Sequence, residues 1–409
     1  MTTTILLLLC HLTRPSASAI LPPPPSSNAA ANPSAAPPPP GPLTLPRGLP
    51  RLIPVWTVPA PVNPFTAKAA FIRYWNRKVR SNRPHPAFFF AKLSPLSGPD
   101  AATFSTLASA GKLASRIRDF CAAASLLCPS APAASSSASS SSSAEGAAGV
   151  VASFAHYRKE YQNMSKMEVS KVAAAETMTA PCQQRGLPKW TPEPGKFFRE
   201  RDLMMGNRMP MPNIADKLAH RAFLPRDIAT NIPFEENAVA ALFGAPPGSA
   251  MRKAVSSTVA ECARAPSMGE NKRCTTSAED MVDFAVEMLG SNIAVRTTES
   301  CAGSGRDVRL GKITGIAGGG VTRSVSCHQS LFPYLVYYCH SVPRVRLYEV
   351  DILDVDSNRK INHGVAICHL ETSDWSPNHG AFVALGGKPG EIEVCHWAFE
   401  GDMTWTLVD

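Results

Sequence analysis

The sequence predicts an α+β protein: a predominantly β C-terminal domain with disulfides, preceded by a Pro/Ala/Ser-rich, partly helical N-terminal region. Three observations predict it. Four adjacent Cys-His pairs end or follow strand-like runs late in the chain, at Cys327-His328, Cys339-His340, Cys368-His369 and Cys395-His396. Before them, Ala101 to Phe120 carries a helical pattern close behind the aromatic runs Phe71-Ile72-Arg73-Tyr74-Trp75 and Phe88-Phe89-Phe90. Further upstream, the prolines of Pro22–Pro25 and Pro37–Pro40 favour extended, solvated backbone without a core.

Taken from the N-terminus, residues 1–19 read as a secretory signal peptide. Ile5 to Cys10 is a short apolar run, and Ala17-Ser18-Ala19 offers a small-residue cleavage site after Ala19. Secretion places the mature cysteines in an oxidising compartment, where they end in disulfides. No later stretch approaches the roughly 18 continuous apolar residues of a membrane helix, so no membrane association is expected after signal cleavage. Residues 20–62 form a Pro/Ala-rich low-complexity segment, 63–128 an N-terminal globular segment, and 129–150 an Ala/Ser linker. A connecting segment at 151–196 precedes a substantial domain at 197–409. The sequon Asn163-Met164-Ser165 lies in a polar stretch and marks Asn163 for glycosylation.

Charge divides unevenly. The whole chain is +9, yet residues 321–409 hold six basic and eleven acidic residues and net −5, which leaves +14 for the rest. A basic N-terminal portion outside the cell points to a polyanion such as pectin rather than to nucleic acid, against the plainer reading that these charges only solvate the surface. No pair of carboxylates sits in an identifiable glycosidase motif.

Cysteine and histidine are scarce, at 11 and 10 of 409 residues, so four adjacent pairings within seventy residues are not a chance pattern. Leu335–Cys339, Val365–Cys368 and Ile392–Cys395 read as strands, and successive side chains of a strand leave on opposite faces. On strands, Cys327, Cys339, Cys368 and Cys395 can share one layer and form two disulfides. His328, His340, His369 and His396 then share another layer and are free to converge on a metal ion. The dyad gaps of 10, 27 and 25 residues lack the short ligand spacing of structural zinc sites, and a four-imidazole set without thiolate suits copper. The alternative is four hydrogen-bonded core histidines beside disulfides. His363 and His379, in Asn362-His363-Gly364 and Asn378-His379-Gly380, read as loop residues. Cys121 and Cys128 are near enough to pair. Cys262 and Cys274 bracket what reads as a surface loop pinned by a disulfide, while Cys182 and Cys301 have no obvious partner. Spacing alone leaves the connectivity open.

The pattern Cys-His-x10-Cys-His-x27-Cys-His-x25-Cys-His-x8-Trp, ending at Trp405, resembles the signature of the plant BURP domain, with Phe197-Phe198-Arg199-Glu200 at its start. It resembles most the branch of the non-catalytic β-subunit of polygalacturonase. Arg221–Arg226, Ser277–Met281, Ser326–Gln329 and Trp375–Phe382 carry that likeness, as does Asn63-Pro64-Phe65-Thr66 upstream. The resemblance implies a secreted, non-catalytic protein of the cell wall or apoplast, with a polygalacturonase catalytic subunit and pectin as partners. It also implies an alternative, a copper-dependent autocatalytic peptide cyclase. There the four histidines hold copper, and Tyr157 or Tyr161 is the residue cross-linked in cis. Relatives in that branch carry a long array of Phe-x-x-Tyr repeats. Here a single copy, Phe154-Ala155-His156-Tyr157, follows the Ala/Ser linker.

Overall fold

In a computed structural model of the chain, residues 65–128 and 192–408 are described, apart from 217, 301, 303 and 304. The expected signal peptide, Ala19, Tyr157, Tyr161 and Asn163 lie outside the described residues.

The first helix, α1 (Ala67–Lys78), starts where the Thr66 side chain accepts a hydrogen bond from the backbone N–H of Ala69, and it ends on Arg77 and Lys78, cations suited to a helix C-terminus. Phe71 and Trp75, four residues apart, fall on one face and are buried. A single turn, α2 (Ala87–Phe90), adds Phe89 and Phe90 to the same cluster. The helical pattern expected across Ala101–Phe120 is divided. α3 (Gly98–Ser109), capped by Ser97, stops before Gly111, whose φ of 66° is left-handed, and α4 (Ile117–Ala123) follows a 3₁₀ turn. Among the described residues the later helices are α5 (Arg226–Ala229), α6 (Glu236–Leu242), α7 (Ala250–Ala263), α8 (Ala278–Leu289) and α9 (Gly380–Leu385).

Twelve strands form two antiparallel sheets among the described residues: β1 (Phe197–Phe198), β2 (Arg208–Met211), β3 (Asn271–Thr275), β4 (Ile293–Arg296), β5 (Glu299–Ser300), β6 (Arg306–Gly315), β7 (Ser324–Ser330), β8 (Val336–Ser341), β9 (Val345–Asp354), β10 (Lys360–His369), β11 (Val394–Trp397) and β12 (Met403–Leu407). The larger sheet runs β1-β11-β10-β9-β6-β2, with β5 beside β10; the smaller runs β3-β8-β7-β12-β4. The chain changes sheet three times in the dyad region: from β6 to β7, from β8 to β9 and from β11 to β12.

The described residues belong to one compact unit. The 65–128 helices share their cores with the later chain. Phe71, Trp75, Phe89 and Phe90 bury themselves with α8 and with Val325, Tyr337 and Trp405 of the smaller sheet. Ring centroids of Trp75 and Trp405 are 5.8 Å apart, and those of Phe89 and Phe223 are 5.9 Å apart. Phe104, Leu113 and Phe120 pack with α5 to α7 and with Phe332 and Tyr334. A Trp75→Ala substitution should therefore destabilise the whole unit by about 3–5 kcal/mol, read as a lower urea midpoint. A chain beginning at residue 192 should bind a dye for exposed apolar surface. Native-like cooperative unfolding of that truncated chain would refute the shared core.

Candidate functional site

Strand alternation sorts the dyads, with one difference from the expectation. Cys327 lies directly opposite Cys339 in the β7–β8 ladder and is disulfide-bonded to it; Cys368 and Cys395 do the same in β10–β11. The four sulfurs do not share a layer. Cys327–Cys339 belongs to the core between the smaller sheet and its helices, and Cys368–Cys395 to the core on the far face of the larger sheet. Each hairpin lies in its own sheet, so each disulfide faces outward into its own core. The histidines leave on the opposite faces and form a single layer between the two disulfides.

In that layer His328 and His340 come from the smaller sheet and His369 and His396 from the larger. Ring centroids are 5.4 Å apart for His328–His340, 5.3 Å for His369–His396 and 6.5 Å for His328–His396 across the sheets. The Nε2 atoms of His369 and His396 stand 3.2 Å apart. Two nitrogens held about 2.0–2.1 Å from one ion stand roughly 2.9–3.4 Å apart between right-angle and tetrahedral geometry. Among the described residues, however, no group of three or more His, Cys, Asp or Glu side chains is drawn together tightly enough to hold a metal as it stands. The formed element is the His369–His396 pair, with the other two imidazoles adjacent.

Hydrogen bonds fix which nitrogens face inward. Nδ1 of His328 lies 3.0 Å from Oδ2 of Asp402, and Nδ1 of His340 lies 3.0 Å from Oε1 of Glu270. Nδ1 of His396 lies 3.1 Å from the Trp397 carbonyl oxygen. Carboxylate and carbonyl oxygens only accept, so each of these Nδ1 atoms carries a proton, and in the neutral rings of His340 and His396 Nε2 keeps its lone pair. His369 then donates from Nε2 to His396 and must move that proton before acting as a ligand. Carboxylates behind ligating histidines are the usual outer support of a metal site. Asp402 also accepts the Gln329 backbone N–H at 2.9 Å. Glu270 also accepts from Tyr338 Oη and, at 2.8 Å, from the Ser267 backbone N–H, and it pairs with Arg264.

The electrostatics follow from burial and these partners. Burial and the neighbouring imidazole charges hold His369 well below the ordinary histidine value. Burial, with the His328 charge, takes His396 down to about 4. Burial lowers His340 in spite of Glu270. For His328, burial opposes the charged form, but Asp402 more than offsets it and the pKa is raised. Burial of Glu270 is likewise outweighed by its hydrogen bonds from His340, Tyr338 and Ser267, which hold it far below the carboxylate range. Three of the four imidazoles are therefore neutral near pH 7, as metal ligation requires.

Neither Asp402 nor Glu270 is in a motif that spacing rules would select. Folding brings Glu270 from the turn before β3, and Asp402 from the crossing into β12. Trp375 is a further neighbour that spacing does not select, its ring 5.2 Å from that of His369. His363 departs from the loop expectation: it lies within β10, beside Asp351 of β9 at 3.9 Å. The flanking Gly364 is needed for packing, since a Cβ there would meet Cζ3 of Trp397 at 2.8 Å. His379 is the N-cap of α9, its Nδ1 accepting from the Ala381 N–H at 3.2 Å. Cys121–Cys128 and Cys262–Cys274 are also disulfides, the second tying the end of α7 to β3. Cys182 and Cys301 lie outside the described residues.

Two sheets joined through four Cys-His strands define a BURP-domain protein: the BURP domain matches residues 196–407, and the chain belongs to that family. It is 41% identical to BURP domain-containing protein 14 of Oryza sativa subsp. japonica, across 85% of this chain and 91% of that protein. It is 46% identical to BURP domain-containing protein 16 of the same plant, across 85% of this chain and 92% of that protein. Over 54% of its length it is 59% identical to Polygalacturonase-1 non-catalytic subunit beta of Solanum lycopersicum, but it matches only 35% of that protein.

The division of labour within a dyad is measurable. Replacing Cys368 and Cys395 together by Ser should cost about 2–5 kcal/mol in chemical denaturation and reduce secreted yield. His396→Ala should cost no more than about 1–2 kcal/mol, the ordinary range for one side chain. Equal losses from both changes would contradict the separation of scaffold sulfurs from free imidazoles.

Proposed function

We propose that this chain is a secreted, non-catalytic protein of the cell wall that associates with a polygalacturonase catalytic subunit and localises or modulates its action on pectin. The observation that carries this reading is the likeness of the whole BURP region to the tomato polygalacturonase subunit. The charge distribution supports it, because a +14 remainder outside the acidic C-terminal stretch suits adsorption to a polyanion. On this reading Asn163 is glycosylated and the signal peptide is removed after Ala19. Secreted full-length chain should co-purify with a plant polygalacturonase and be retained on de-esterified pectin at low salt. Replacing the exposed Arg80, Arg83 and Arg118 of the basic portion together by Gln, which leaves the shared cores in place, should weaken the pectin retention. Unaltered retention would remove the role of the basic segment.

A second reading is favoured by the histidine layer. His328, His340, His369 and His396 would hold a copper ion, three of them with Nε2 already directed inward by Asp402, Glu270 and the Trp397 carbonyl. Bound copper would supply one-electron redox chemistry. The chain's own part is to keep the imidazoles neutral, to orient them, and to bring Tyr157 or Tyr161 to the site in cis for autocatalytic peptide cyclisation. Cross-linking removes a hydrogen from each joined atom, with dioxygen as acceptor. Copper should stay with the desalted parent and be lost from His369→Ala. Under oxygen, the peptide holding Tyr157 or Tyr161 should lose a pair of hydrogens by mass spectrometry. Copper retention with an unchanged peptide mass would leave a metal-binding wall protein and sink the cyclase.

A further inference from the structure

An open groove of about 220 Å³ lies where the chain changes sheet. One wall is the connection from β6 to β7, with Val321, Thr322 and Arg323. The other is the β8–β9 crossing, with Ser341, Pro343 and Arg344. The two walls are tied by the backbone, Thr322 N–H donating to the Val345 carbonyl at 2.8 Å. The Gly269 turn lines the groove beside Pro343, a Cβ there meeting the proline ring at 3.2 Å.

Both guanidinium side chains are exposed. Arg323 donates to the Met288 carbonyl at the end of α8, which anchors the arm beside the groove that it lines. Arg344 forms no ion pair among the described residues; the Glu371 carboxylate only senses its charge. Its backbone has φ 55°, a conformation that an L-residue with a side chain seldom keeps. Glycine would relieve that conformation, yet the position carries a long cationic side chain at the mouth of a groove. Two of the six basic residues of the acidic 321–409 stretch thus face one cavity.

We propose that this groove binds the carboxylate of an acidic sugar unit in a uronate chain. Guanidinium groups pair with carboxylate through paired, charge-assisted hydrogen bonds. The Ser341 hydroxyl suits a sugar hydroxyl, and Val321, 55% exposed, and Pro343 offer an apolar wall to the C–H face of a ring. The cavity is smaller than the roughly 300–1,000 Å³ that encloses a whole drug-sized ligand. It therefore holds one unit of a chain that runs on past both ends. This deepens the pectin-associated reading and rests on it for the choice of sugar.

The test uses full-length secreted protein and a de-esterified oligogalacturonide, followed by calorimetry at fixed salt. Arg344→Gly and Arg323→Gln should each weaken binding about tenfold or more, the loss expected of a charge-assisted contact. Arg344→Gly should keep the parent's thermal stability, because glycine accepts the positive φ. Lys388→Gln, an exposed cation of the same acidic stretch outside the groove, should bind as the parent does. Methyl-esterified oligomer should bind to the parent no better than de-esterified oligomer binds to the variants. Parent-like binding by both groove variants would overturn the proposal. So would dextran sulfate binding that matches the oligogalacturonide and falls equally in the variants, since the groove would then be a general anion site. Co-purification of the same variants with polygalacturonase separates the two readings: lost sugar affinity with retained association supports the groove, and lost association in the parent itself refutes only the partner.

Discussion

Neighbouring side chains of a β-strand leave on opposite faces, and in this protein that constraint acts on Cys-His pairs at four strand positions. Each sulfur is committed to a buried cross-strand disulfide, Cys327–Cys339 in one sheet and Cys368–Cys395 in the other. Each imidazole must then point the other way. The two hairpins present their histidine faces to each other, so the covalent scaffold lies outside and the chemistry-bearing layer lies between. A one-residue slip in either ladder would exchange the two sets and bury histidines in an apolar core.

Around that layer the fold supplies what imidazoles need to be useful. Burial keeps three of them neutral, and carboxylates on separate elements hold Nδ1 protons in place. Glu270 is itself satisfied by Arg264, Tyr338 and the Ser267 N–H, so its buried charge is not left alone. The N-terminal helices do comparable service for the scaffold. Trp75 and Phe89 close the outer face of the smaller sheet against Trp405, the residue that follows the last dyad.

The sequence was most legible where the signal is local. The strands of the dyads, and the pairings of Cys121 with Cys128 and Cys262 with Cys274, all rest on short-range patterns. It was least legible where contacts are distant in the chain. Asn362-His363-Gly364 has a turn-like composition, but Asn362 is buried and Gly364 yields space to the Trp397 ring, so the segment continues as strand. Ala101–Phe120 is helical on average, but the left-handed φ at Gly111 divides it.

By itself, then, the sequence determined that sulfur and imidazole would part company, because a period of two is written into adjacent residues. It also determined the family, because the dyad spacing is specific. Tertiary structure alone decided that the sulfurs occupy two cores and not one, since that depends on which sheet each hairpin joins. Folding alone also placed Glu270 and Asp402 behind the histidines, and Arg323 beside Arg344 at a sheet crossing. Those neighbours are set by long-range strand pairing, whose partners no local pattern in the chain names.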